Sequence, residues 1–487
     1  MTTTTHKFLG VLLDDELRFQ KHAALAIAKG ERWAAEVKKL SKVTKGMHRR
    51  FMRRLFYSVA APSMLYAADV WCTQPAKRTG TKIARGMGAV IRKMESVQRK
   101  AALQTTGALR TTPSDLLFAH ADMLPLRYYI RTLCQRAALH IATLPKEHPI
   151  YAAARKAMGR RLKRHTSPLY EILDSAKIRT NEIETIGIST KPPIWRNKVK
   201  TMIAPTREDA IQHVSNDESD IKIYTDGSNR EGGVGAAAVL IQGIRPARIA
   251  QHYLGKNTKH TVYESKCVGQ ILGLKMLQKL GQNINGMEIM VATDNQAVLR
   301  AYEARKPTPG SYLVEDARKL IGEIESKWPR VKLKLQWVPG HEGIEGNEKA
   351  DTEAKRAAEG PHKNQRNEHY RLIRGILNSK SATKQALKAK TRRDYEKEFQ
   401  RSARYDKAIK YDVKAPSPSF RKMSAKLTRR QASILIQLRT GHVPLQAYLH
   451  CFKLSDTSEC PTCRNEPETV THFLKYCRTY EQQRRRL

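Results

Sequence analysis

Three aspartates in the middle of the chain stand where a carboxylate can do chemistry. Asp226 follows the β-branched run "IKIYT", Asp294 follows "IMVAT", and Asp351 lies within "GHEGIEGNEKADTEAKRAA". If the two strands are neighbours, their carboxylates converge at the C-terminal edge of a sheet, where open α/β sheets hold ligands. Clustered oxygen donors without His or Cys suit Mg²⁺ or Mn²⁺ rather than zinc. Two such ions activate a water and stabilise the leaving oxygen in phosphodiester cleavage. One Asp at a strand end is ordinarily a turn former or a helix cap; three of them in a very basic chain argue for a site. A second constellation is Cys460, Cys463, His472 and Cys477 in "CPTCRNEPETVTHFLKYC". Its spacing is that of a tetrahedral Cys₃His site for structural Zn²⁺, which would fold a module too small for its own core. His450 and Cys451 lie just upstream and leave another ligand set open.

The elements that must position these groups are readable from the pattern. Over residues 220–360, "IKIYTDGS", "VGAAAVLIQ", "ARIAQHYLG", "MEIMVATDN" and "VKLKLQWVPG" read as strands. Helices are expected after the third of them, at "TVYESKCVGQILGLKML", and at "YLVEDARKLIGEIESKW". Five strands with helices so placed predict a mixed α/β sheet with flanking helices. Residues 1–155 read as helix, with apolar spacings of three and four in "AALAIAKGERWAAEVKKL" and "GAVIRKMESVQRKAAL", punctuated later by Pro113 and Pro125. Residues 156–219, with "RRLKRH" and "KPPIWRNKVK", read as a basic linker. Residues 361–430 carry 21 Lys and Arg against six Asp and Glu and read as a basic helical segment, leaving 431–487 as the zinc module.

Composition narrows the partner. The 487 residues include 89 Lys and Arg against 46 Asp and Glu, a formal net charge of +43. Nucleic acid, neutralised through its phosphates, is the expected partner. The sequence has no apolar run of the roughly 18 residues that a spanning helix needs, so no membrane partner is expected. "MTTTTHKFLG" lacks the features of a secretory signal, which predicts an intracellular protein, nuclear or cytoplasmic. Seven cysteines are too few for a disulfide scaffold.

"IYTDGSNREGGVGAAAV", "ATDNQAVLRAY" and "WVPGHEGIEGNEKADTEAKRAA" closely resemble the distinctive segments of type 1 ribonuclease H. The resemblance implies endonucleolytic cleavage of the RNA strand of an RNA–DNA hybrid by two Mg²⁺ or Mn²⁺ ions. Of the family's four carboxylates, Asp226, Asp294 and Asp351 match three. His341 matches the loop histidine that assists proton transfer or product release.

The fourth carboxylate should be a glutamate on the first turns of the helix that begins near Val262. The family reads there like Tyr-Glu-Ala-Glu-Leu-Val-Gly, the second Glu being the ligand. Over "YESKCVGQILGL", Tyr263, Val268, Gly269 and the Leu-Gly-Leu at 272–274 keep register, and that register puts Lys266 at the ligand position. A helix starting two residues sooner would instead offer Glu264, which lies about 200° around from Lys266. The gap-free register is favoured. An ammonium there would repel a divalent cation. Cys267 stands where the family has Leu, and polar Gln270 falls on an otherwise apolar stretch.

Both ends resemble non-LTR (LINE-like) retrotransposon polyproteins. "FLGVLLDDELRFQKH" and the helices after it are similar to the segment following the reverse transcriptase palm and to its thumb-like connection. "MLYAADVW" has a single Asp69, so polymerase activity is not expected. "RRQASILIQLRTGHVPLQAYL" with the Cys₃His knuckle resembles the tail of such polyproteins, which implies binding of single-stranded RNA or DNA. The leading expectation is therefore the C-terminal part of such a polyprotein, acting as a hybrid ribonuclease. A catalytically weak or inactive nucleic-acid-binding remnant is the alternative. A transposase or integrase on the same fold would need a final Glu in place of the Asp351 helix.

Overall fold

A computed structural model describes residues 5–72, 76–77, 84–85, 87–159, 168–187, 200–304, 306–360, 375–410 and 418–486. The chain forms two compact units, one of residues 1–134 with 390–487 and one of residues 135–389. The runs "RRLKRH" and nearly all of "KPPIWRNKVK", and the first part of the basic segment at 361–374, lie outside the described residues.

The second unit is built on a six-stranded mixed sheet. In chain order its elements are β1 (Lys200–Met202), α1 (Arg207–Ser215), β2 (Ile221–Arg230), β3 (Gly233–Ile241), β4 (Arg248–Lys256) and α2 (Val262–Leu280). They continue with β5 (Glu288–Thr293), α3 (Gln296–Glu303), α4 (Ser311–Lys327), β6 (Lys332–Trp337) and α5 (Glu345–Ala358). The strand order is β1-β6-β5-β2-β3-β4. β1, β6, β5 and β2 run parallel, while β3 and β4 are antiparallel additions. The five expected strands are all present. The sixth, β1, comes from the stretch that reads as linker; three residues flanked by charge carry too little periodicity to announce a strand.

Alternation along the strands divides the core. Ile221, Ile223, Ile289, Val291, Leu333 and Leu335 face α2 and α4, whereas Tyr224, Met290, Ala292 and Val239 pack with Ala350 of α5 and Val214 of α1. Close packing of α2 on β2 depends on small residues. A Cβ on Gly227 would lie 2.2 Å from Ser265 Oγ and 2.5 Å from the Lys266 nitrogen, and one on Gly273 would lie 2.7 Å from Ile223 Cγ2. On the opposite face, a Cβ on Gly235 would lie 2.2 Å from the Ala358 nitrogen of α5. A satellite helical core of Ala138, Leu139, Ala154, Leu173 and Ile183 precedes the sheet in the same unit.

The first unit is helical, as expected, but opens with a two-stranded hairpin, Thr5–Phe8 against Val11–Asp14. Helices Gln20–Lys38, Arg49–Leu55 and Gly88–Thr106 enclose Met52, Phe56, Met64, Trp71 and Met94. Pro113 and Pro125 sit immediately before helices Ser114–Ala121 and Leu126–Ala142. The C-terminal residues join this core through arginines. Arg429 at the start of helix Arg429–Thr440 donates to the carbonyls of Ser41, Lys42, Met47 and Gln104. No helix among the described residues is long and apolar enough to cross a membrane.

Candidate functional site

The parallel pairing of β2 with β5 runs from Ile221↔Ile289 to Thr225↔Thr293, so Asp226 and Asp294 are the next residue on two adjacent strands. β2 does not stop there; it continues to Arg230 in its hairpin with β3. By parity Asp226 follows Tyr224, on the face that α5 covers through Ala350, the residue before Asp351.

The N-terminus of α2 separates its two charged candidates. Thr261 caps the helix and Glu264, three residues on, completes a capping box. The Glu264 carboxylate accepts from the Thr261 nitrogen at 2.7 Å and its hydroxyl at 2.9 Å. It is 1 % exposed, and Glu184 and Ser379 stand beside it. Burial, with the neighbouring Glu184 charge, pushes its carboxyl up to about 7. Lys266 projects the other way. Its Nζ lies 2.7 Å from Asp226 Oδ1 and donates to Asp294 Oδ1 at 2.5 Å. The structure thus brings Asp226, Asp294 and Lys266 together and leaves Glu264 as a cap.

The electrostatics follow from this packing. Burial alone would lower the Lys266 ammonium, but Asp226 and Asp294 outweigh it and hold the group above the ordinary lysine value. Burial pushes the Asp226 carboxyl up to about 6, Lys266 pulls it down, and Asp294 adds to the rise. Asp351 pairs with Lys355 one turn along its own helix, at 2.6 Å. His341 lies exposed in the loop before α5 with a positive φ of 61°, beside Gly340, whose added Cβ would sit 3.4 Å from Asp294 Oδ2. That loop is tethered by Glu342, which pairs with Arg207 of α1 at 3.0 Å.

A pair of divalent cations does not fit this arrangement. The oxygens of Asp226 and Asp294 that face each other hold an ammonium, Asp351 holds another, and the fourth carboxylate points elsewhere. The donor set is one glutamate short, and a fixed positive charge sits within it.

The Cys₃His cluster behaves differently. Ligand atoms of Cys460, Cys463, His472 and Cys477 all lie within 4.8 Å of one another. Cys460 Sγ and Cys477 Sγ are 3.9 Å apart, and Cys463 Sγ is 3.3 Å from His472 Nε2. Zinc–sulfur bonds of about 2.3 Å in a tetrahedron put two sulfurs about 3.8 Å apart. The His472 Nδ1 lies 3.0 Å from Glu466 Oε2, the outer carboxylate that turns Nε2 toward a metal. Cys451 is exposed and outside the cluster. The spacing of the ligands was legible; Glu466 was not singled out, although an acidic residue between the Cys pair and the His was its signal. Lys355 was likewise missed, although its four-residue spacing from Asp351 is that of a helical ion pair.

Residues 218–359 match the family model described as RNase H. They form an RNase H domain. The domain is similar in fold to LC11-RNase H1, isolated from compost and solved in complex with an RNA/DNA hybrid, at 22 % identity, 28 % of this chain, 96 % of that one and a TM-score of 0.23. RNase H1 of Halobacterium salinarum matches at 19 % identity over 28 % of this chain and 97 % of its own, with a TM-score of 0.22. The N-terminal RNase H domain of a Mycobacterium tuberculosis protein, solved as a fusion with maltose-binding protein, matches at 21 % over 29 % and 98 %, with a TM-score of 0.22. No curated protein sequence matches the chain.

Proposed function

We propose that the RNase H domain engages RNA–DNA hybrids and that Lys266 curtails the metal-dependent cleavage its family performs. The observation that carries this reading is the Lys266 ammonium lying 2.5–2.7 Å from both Asp294 and Asp226. The match over residues 218–359 supports the hybrid as substrate class, and the +43 charge supports a polyanionic partner. A second reading, full hybrid ribonuclease activity, is favoured by the retention of Asp226, Asp294, Asp351 and His341. It requires Lys266 to swing clear and Mg²⁺ or Mn²⁺ to take its place among these carboxylates.

The test is hydrolysis and binding of a labelled hybrid, in Mg²⁺ and in Mn²⁺, by the natural chain, Lys266→Glu and Glu264→Gln. Expected is hybrid binding by all three, with cleavage by Lys266→Glu at least about 100-fold faster than by the natural chain. Efficient cleavage by the natural chain that Glu264→Gln abolishes would overturn the proposal. The geometry of the Cys₃His cluster supports a structural Zn²⁺ there. The resemblance of both ends to non-LTR polyproteins supports a retroelement origin, with single-stranded nucleic acid as a partner of the zinc module.

A further inference from the structure

The first unit holds a cavity of about 720 Å³ between helix Gly88–Thr106, helix Ser114–Ala121 and the turn at 401–404. Its lining combines Phe118, Pro125, Tyr395 and Phe399 with several arginines. The acidic groups that line it are already matched. Glu95 and Glu398 pair with Arg127, the first at 2.6 Å. Asp115 accepts from Ser402 Oγ at 2.5 Å and pairs with Arg404 at 3.5 Å.

Three further guanidinium groups on the same cavity, those of Arg92, Arg99 and Arg401, have no carboxylate partner among the described residues. Arg99 is the informative one. It donates to Ser114 Oγ at 2.9 Å and to the carbonyls of Arg110 and Thr112, both at 2.7 Å. All three acceptors are neutral, so they fix the orientation of the guanidinium while leaving its charge uncancelled. A fixed, half-buried positive charge on the same cavity as two exposed arginines makes that cavity favourable to an anion.

From this geometry we infer a binding site for the phosphate of a single nucleic-acid strand. Arg99 contributes its charge, its terminal nitrogens being largely spent on protein acceptors, and the exposed guanidinium groups of Arg92 and Arg401 supply the hydrogen-bond donors to a phosphate. The concave shape and volume admit one nucleotide and not a duplex, whose phosphates line a convex surface. The site is separate from the RNase H domain and from the Cys₃His cluster, and it adds strand capture to hybrid recognition.

The test uses the full chain and a labelled single-stranded RNA of about 12 nucleotides, within the usual site size for such grooves. Affinity is measured over a salt series for the natural chain, for Arg92→Glu with Arg401→Glu, and for a control pair of equal charge change in the same unit, Lys38→Glu with Arg50→Glu. Residues Arg92, Arg401, Lys38 and Arg50 are all exposed, so both pairs should fold. Expected is a loss of about tenfold or more for the cavity pair, with the salt slope falling by about 0.7 for each phosphate released. The control pair should lose clearly less, and hybrid binding should survive in the cavity pair. Equal losses for the two pairs, or an unchanged slope, overturn the site. Millimolar adenosine monophosphate that binds through Arg92 and Arg401 while strand affinity ignores them would overturn the assignment to a strand.

Discussion

The carboxylate cluster of the RNase H domain and the Cys₃His cluster of the C-terminal module are both sets of metal-type donors, and they are built in opposite ways. In the second, the ligand atoms converge with nothing charged among them, and Glu466 orients His472 from outside. In the first, the chain supplies its own cation: Lys266 pairs with Asp226 and Asp294, and Lys355 with Asp351. One cluster has a cationic side chain between two of its carboxylates, and the other has none among its donors. On the proposed reading, the family pattern of aspartates does not by itself make a metal centre, and the charge at one helix position decides it.

The largest expected effect lies on the zinc side. Binding free energy at structural zinc sites is folding free energy, on the order of 10 kcal/mol in small peptides. A strong chelator, or Cys463→Ser, should release or prevent the binding of one equivalent of Zn²⁺ and open residues near 452–480 to protease. A module that keeps its protease resistance after full chelation would show that the cluster is not a metal site. The same chelator should leave the melting of the RNase H domain unchanged.

Next in size is the removal of the built-in cation. Lys266→Met leaves two carboxylates facing each other in a largely buried site, a loss of about 3–5 kcal/mol by analogy with broken buried pairs. Added Mg²⁺ should restore part of that loss in Lys266→Met, and more in Lys266→Glu, while the natural chain gains nothing. Thermal melts with and without Mg²⁺ read this directly. An equal Mg²⁺ gain in the natural chain would erase the contrast between the two clusters.

How much of this was legible in the sequence differs between the sites. The Asp after an apolar β-branched run, at Asp226 and Asp294, and the Cys-x2-Cys pair are local sequence patterns, so both clusters could be located even though Asp226 lies within its strand and not at its end. The register of α2 was harder, because Glu264 and Lys266 differ only in helical phase. What settles the phase is the capping box, in which Thr261 recruits Glu264. A Thr three residues before a Glu was there to be read, and gives Glu264 a structural role without any reference to a metal. β1 and the Glu184 contact were not legible, because both depend on pairing across long separations. Gly310 and Lys380 donate backbone nitrogens to Glu184, at 2.6 and 2.7 Å, from positions more than 100 residues away.

Glu184 and Glu264 give the third effect, a pH dependence opposite to that of an ordinary salt-bridged carboxylate. Burial raises both. For Glu264 the folded-state value is about 7 against an ordinary 4.5, so the native state holds a proton that the unfolded chain has lost. Its contribution is fullest below about pH 4.5, falls as pH rises, and is gone above about 7. The difference is on the order of 3 kcal/mol. Glu264→Gln keeps an oxygen for the Thr261 cap and cannot ionise, so its stability should vary much less between pH 5 and 8. Urea melts at a series of pH values check this. A slope unaltered by the substitution would place the titration elsewhere and would return Glu264 to the list of groups charged at neutral pH.

The smallest effect tests whether the segment before the domain acts on the site at all. Arg207 of α1 pairs with Glu342, the residue after His341, but Arg207 is 67 % exposed. An exposed pair contributes about 0.2–1 kcal/mol, so Arg207→Ala should hardly move the melting temperature. Its consequence should be kinetic and confined to a background that cleaves. In Lys266→Glu, freeing the loop should change turnover of the hybrid with little effect on its binding. Because the ion pair is screened by salt, high ionic strength should mimic the substitution. Identical turnover in Lys266→Glu with and without Arg207 would mean that the loop is positioned by Gly340 packing against Asp294, leaving α1 a purely structural support for the sheet.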